Sequence, residues 1–199
     1  MSGATRTRHR RWTIANCLTG FRLVIAAPAL VMLAFAGWRE EFRWMLVASF
    51  ASDFLDGTVA RLTGGTTRFG ARLDSWADGA AYCAITVGVS LLWPRLVAHE
   101  WPAMLAIIAS FLLPGAIGYL KFRRFTSYHT LLVKAAVGAT ALALLLALWG
   151  GPAWPLRLAA MLAVAAAAEE IAITWVLRAP LSNVGGLLRV WRERHPPRA

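Results

Sequence analysis

Long apolar runs and short polar breaks alternate along this chain, and each run is about as long as a helix that crosses a bilayer, roughly 17–25 residues. Six such runs lie near 14–37, 42–61, 72–94, 102–120, 129–149 and 155–177. The breaks are rich in turn and charged residues: Gly37-Trp38-Arg39-Glu40-Glu41, Thr63-Gly64-Gly65-Thr66, Trp93-Pro94-Arg95, Lys121 to Ser127, and Gly150-Gly151-Pro152. Pro102 predicts a helix start, and Pro114 predicts a kink in the fourth run. The expected fold is all-α: a polytopic membrane bundle of six transmembrane helices, with a polar cavity opening to the cytoplasmic side. It is read as a single domain over 1–199, with a basic juxtamembrane segment at 1–13 and a basic tail at 178–199.

Composition supports a membrane protein and excludes an ordinary soluble domain. Of 199 residues, 58% are hydrophobic and only 16% charged. The net charge of +11 would suit nucleic acid, but the basic residues sit between apolar runs rather than along one face. An anionic membrane surface accounts for them, and no nucleic-acid partner is expected. With the N-terminus in the cytoplasm, segments 1–22, 61–72, 121–134 and 178–199 hold every Lys and Arg except Arg39, Arg43, Arg95 and Arg157. That asymmetry places both termini in the cytoplasm. Asn16, Thr19 and Arg22 interrupt the first apolar run, which argues against a cleavable leader ending near Ala34-Phe35-Ala36. Cys17 and Cys83 are isolated and give neither a disulfide framework nor a metal spacing.

The chemistry lies in the acidic residues. All of the chain's aspartates, Asp53, Asp56, Asp74 and Asp78, fall in one short stretch. Spacings of three and four put each pair on one face of its helix, and a hairpin of the second and third runs would bring the two faces together. Unpaired carboxylates at a membrane boundary are costly, so something positive must sit among them. Carboxylate oxygens without His or Cys select a hard cation, Mg²⁺ or Mn²⁺. Four carboxylates would hold two ions, an arrangement suited to phosphoryl transfer. The plainer alternative is a set of Asp–Arg pairs using Arg61, Arg68 and Arg72 to tie helix ends together. Gly57 and Ala60 allow close approach to the backbone, and Arg61 would grip a diphosphate oxygen. Asn16 and Thr19 read equally well as helix caps or as polar cavity lining.

The pattern Asp53-x2-Asp56-Gly57-x2-Ala60-Arg61-x8-Gly70-x3-Asp74-x3-Asp78 resembles the full signature of the CDP-alcohol phosphatidyltransferase family, with no departure at a fixed position. The resemblance implies a transferase of phospholipid biosynthesis in a bacterial cytoplasmic membrane. It implies Asp53, Asp56 and Asp74 as ligands of Mg²⁺ or Mn²⁺, and Asp78 as the general base, also touching the second ion. It implies contacts from Gly57, Ala60, Arg61 and Thr67 to the CDP-alcohol, CDP-diacylglycerol or a relative, and adds Asn16 and Thr19 from a first-run motif, Asn16-Cys17-Leu18-Thr19-x2-Arg22. A homodimer in contact with membrane lipids is likewise implied.

The resemblance implies a small alcohol or phosphoalcohol as the acceptor. The expectation is glycerol 3-phosphate, with inositol phosphate or another polyol as the alternative. Lys121, Arg123 and Lys134 would form an anion pocket for it, or they simply follow the positive-inside pattern and meet lipid headgroups. Two other classes fit the pattern less well. An intramembrane prenyltransferase would separate its Asp-rich motifs rather than place them on one hairpin. A divalent-cation carrier explains the carboxylates but not Arg61 and the intervening glycines.

Overall fold

The computed structural model describes residues 14–63, 68–123 and 130–177, and every regular element among them is helical. The first apolar run becomes α1 (Ile14–Phe21), a π-helical turn (Arg22–Ala26) and α2 (Ala27–Ala36), which follow one another without a break. Gly37 ends α2 in the left-handed region at φ 76°, its N–H donating back to Ala34 and Leu33. Glycine takes that conformation without a Cβ penalty, which is why the run stops there.

The remaining runs are α3 (Arg39–Thr63), α4 (Arg68–Leu92), α5 (Pro94–Phe122), α6 (Leu131–Leu148) and α7 (Trp154–Val176). Several boundaries differ from expectation. Glu40 and Glu41, read as part of a break, occupy the first turn of α3, where negative charge complements the helix dipole. Pro94 opens α5 well before Pro102, because proline suits the first helical position. Pro102 still marks a local restart, since Glu100 two residues earlier leaves helical geometry at φ −108°, ψ 19°. α5 kinks at Glu100, and the backbone passes Pro114 with helical dihedrals.

Three stretches of the described residues are long and apolar enough to cross a membrane: Thr19–Ala36, Pro94–Phe122 and Leu131–Leu148. α3, α4 and α7 reach 25, 25 and 23 residues but carry acidic and basic side chains along their length.

The chain divides into two compact units, one up to Pro94 and one from Arg95. In the first, Thr19, Arg22, Ala26, Leu30 and Ala34 form a buried stripe at spacings of three and four. This first helical segment packs against both α3 and α4, which touch each other far less. The hairpin is thus not closed on itself; the first segment lies between its arms. At the far end, the fully buried Phe42 ring lies on Gly88 and against Trp93, with ring centroids 5.8 Å apart. A side chain at position 88 would overlap that ring.

In the second unit α6 and α7 pack through small residues, among them Ala136, Ala143, Ala163 and Ala166. Small side chains let helix backbones approach closely, which replaces the hydrophobic drive that lipid removes. Glu100, only 2% exposed, is gripped by Arg157 of α7 through Nε to Oε2 at 2.9 Å and Nη2 to Oε1 at 2.8 Å. A carboxylate so shielded from water requires such a partner, and the contact ties α5 to α7 where the α5 backbone breaks.

Candidate active site

The Phe42–Gly88 contact sets the register of the hairpin. From Phe42 eleven residues onward along α3 comes Asp53; from Gly88 ten residues back along α4 comes Asp78. At 1.5 Å per residue both lie roughly 16 Å from the contact, at the same level. Asp74 sits one turn from Asp78 on the same face of α4.

Carboxylate oxygens of Asp53, Asp74 and Asp78 accordingly converge, all within 4.8 Å of one another. Oxygens around an octahedral Mg²⁺ at roughly 2.1 Å lie about 3–4 Å apart, so the set needs only a small closure to hold an ion. The donors are oxygen only, which suits Mg²⁺ or Mn²⁺. These side chains are 46%, 42% and 35% exposed, open enough to admit an ion from water.

The structure supplies a cation that sequence reasoning had placed only in a motif. Arg22, at the start of the π-helical turn, extends its guanidinium among the three carboxylates. Nη1 donates to Asp53 Oδ1 and lies 3.8 Å from Asp74 Oδ1, while Nη2 donates to Asp78 Oδ1. Its side chain is 3% exposed. An Asp–Arg cluster therefore exists, with an arginine of the first helical segment in it; the side chains of Arg61, Arg68 and Arg72 lie outside the described residues. Among the described residues one guanidinium faces three carboxylates, and a divalent cation would fit the remaining negative charge. Tyr82, one turn past Asp78 on the same face of α4, was not singled out from the sequence. Its i+4 spacing from Asp78 was the available signal.

The other expected residues divide into three groups. Thr19 is buried one turn before Arg22. Asn16 lies on α1, and Asp56, Gly57, Ala60 and Arg61 lie on α3, but their side chains are outside the described residues, as is Thr67 altogether. Of the expected acceptor group, Lys121 turns its ammonium to the carbonyls of Thr174 at 2.8 Å and Trp175 at 3.0 Å. It thereby satisfies the last turn of α7, where a cation is favoured. Arg123 follows α5 exposed, at φ 55°, and Lys134 is exposed in the first turn of α6. Thr130 caps α6 by accepting from Val133 N at 3.2 Å and donates to Glu169 Oε2 at 2.8 Å, which gives Glu169 a structural partner.

Helices long and apolar enough to span a membrane, combined with an oxygen-lined acidic centre, define a membrane-compatible helical protein with a metal-type site. The sequence model of CDP-alcohol phosphatidyltransferase matches residues 12–177, and the chain belongs to that family. It is 39% identical over 85 residues to a CDP-diacylglycerol–serine O-phosphatidyltransferase of Helicobacter pylori, covering 42% of this chain and 35% of the relative. It is 36% identical over 75 residues to a phosphatidylinositol phosphate synthase of Mycobacterium tuberculosis, covering 36% and 32%. It is also 36% identical over 92 residues to a CDP-diacylglycerol–glycerol-3-phosphate 3-phosphatidyltransferase of Cereibacter sphaeroides, covering 43% and 42%. The chain thus spans less than half the length of each of these relatives. No solved structure matches it.

Proposed function

We propose that the protein transfers a phosphatidyl or related phosphoalcohol group from a CDP-alcohol, such as CDP-diacylglycerol, to a hydroxyl acceptor with release of CMP. The convergence of Asp53, Asp74 and Asp78 in a chain of this family carries the reading. Asp53, Asp56, Asp74 and Asp78 would hold two divalent ions, Mg²⁺ or Mn²⁺. When bound, these neutralise the donor's diphosphate and polarise the phosphorus that bears the lipid alcohol.

The chain's own residues supply the rest. Asn16, Thr19, Gly57, Ala60, Arg61 and Thr67 bind and orient the donor. Asp78 accepts the acceptor's hydroxyl proton as its oxygen bonds to that phosphorus. The bond from phosphorus to the bridging oxygen breaks, and the electron pair leaves with CMP, whose developing charge Arg61 stabilises.

The reading includes six spans in one domain, both termini cytoplasmic and a polar cavity on that side, in a bacterial cytoplasmic membrane and as a homodimer. The Lys and Arg distribution supports the orientation. Glycerol 3-phosphate is the acceptor we favour, with Arg123 and Lys134 as cations for its phosphate. Inositol phosphate is the second reading, because the relative named phosphatidylinositol phosphate synthase is as similar, at 36%, as the glycerol-3-phosphate enzyme.

The test is an acceptor screen. Purified protein with CDP-diacylglycerol and Mg²⁺ is offered glycerol 3-phosphate, inositol phosphate, inositol, serine or phosphatidylglycerol, and the lipids are read by mass spectrometry. A new phosphatidyl lipid with one acceptor supports the proposal; no product with any of them opposes it.

A further inference from the structure

We infer that Arg22 is a built-in counter-cation of the acidic centre, and that its guanidinium and a divalent ion compete for the same carboxylates. Arg22 would then set how tightly the donor-free protein binds the ion. The inference rests on the metal reading above.

Three observations support it. First, the guanidinium reaches Oδ1 of all three converging aspartates, from two different helices. An oxygen that accepts from Nη1 or Nη2 has a lone pair engaged that a metal would otherwise use. Second, burial is graded. Arg22 is 3% exposed while the three carboxylates are 35–46% exposed. The guanidinium therefore lies on the shielded side of the cluster, and an ion would enter from the wet side. Charge repulsion between the two is then weakly screened, even if they share the carboxylates. Third, Arg22 opens the π-helical turn. Such turns are uncommon inside helices and concentrate at functional sites. Here the turn holds Arg22 in the stripe that faces both arms of the hairpin.

The competing possibility is that Arg22 merely orients the aspartates, in which case removing it weakens ion binding. The two differ in sign.

Mn²⁺ titration of purified, donor-free protein, followed by electron paramagnetic resonance of the free ion, separates them. Arg22→Gln is expected to bind Mn²⁺ about tenfold more tightly than the unaltered protein or better. Arg22→Lys, which keeps the charge, is expected to stay within about threefold of the unaltered protein. Equal or weaker binding by Arg22→Gln overturns the inference while leaving the metal reading intact. Absence of Mn²⁺ binding by the unaltered protein overturns both.

Should Arg22→Gln fail to fold, the unaltered protein decides. An arginine-directed dicarbonyl reagent with peptide mass spectrometry should modify Arg22 faster when Mn²⁺ is present. Unchanged or slower modification contradicts displacement of the guanidinium.

Discussion

Arg22 and Asp78, 56 positions apart in the chain, form an ion pair that joins the first helical segment to α4. The same guanidinium reaches Asp53 on α3. A single side chain thus binds three helices at the level where the carboxylates converge. The residue proposed as the proton acceptor is thereby paired with a positive charge.

Asp78→Asn removes the proton acceptor but keeps the shape. Turnover, measured as CMP release, is expected to fall about 10²–10⁴-fold, while donor binding by titration with CDP-diacylglycerol survives. Turnover within a few-fold of the unaltered protein would remove the base assignment.

Asp56→Ala takes away one proposed ligand on α3. Metal-dependent donor binding is expected to be lost, and excess chelator should do the same to the unaltered protein, reversibly on adding Mg²⁺ or Mn²⁺. Donor binding unchanged in the variant would contradict the ligand role.

Gly88→Ala puts a methyl group into the Phe42 ring. Overpacking of this kind costs about 1–3 kcal/mol, and a lower unfolding midpoint in detergent is the readout. In a Phe42→Leu background the added methyl should cost less, because the obstructing ring is gone; an equal cost in both backgrounds would show that the contact does not set the register.

Lys121 separates a structural cation from a substrate-binding one. Because its ammonium sits on the Thr174 and Trp175 carbonyls, Lys121→Met should lower stability by about 1 kcal/mol. Its effect on the acceptor KM should be small. Arg123→Ala and Lys134→Ala should instead raise the KM for a phosphate-bearing acceptor with little change in stability. Steady-state kinetics and thermal unfolding on the three variants check both halves; a raised KM for Lys121→Met alone would reverse the assignment.

The helices were legible because apolar runs of bilayer length leave few alternatives, and the aspartates because their spacing is helical on both arms. Arg22 was harder to read. Its role depends on a helix that lies between the hairpin's arms, and only its place in the first-run motif with Asn16 and Thr19 sets it apart from the other basic residues of a positive-inside pattern. The π-helical turn that it opens has no sequence signature. Likewise Lys121 looks like a surface cation until the end of α7, more than fifty residues later, is brought beside it. Pro102 was expected to open a helix, but the helix begins at Pro94 and Pro102 lies inside it, just past the break at Glu100, where a tertiary ion pair with Arg157 sits. Pro114, whose kink was expected from propensity alone, is accommodated within α5.

The most direct measurement is CMP release by the purified protein from CDP-diacylglycerol, with and without a divalent ion and with and without an alcohol acceptor. The account predicts release only when Mg²⁺ or Mn²⁺ and the acceptor are both present. Release that persists in excess chelator, or none under any combination, would contradict it.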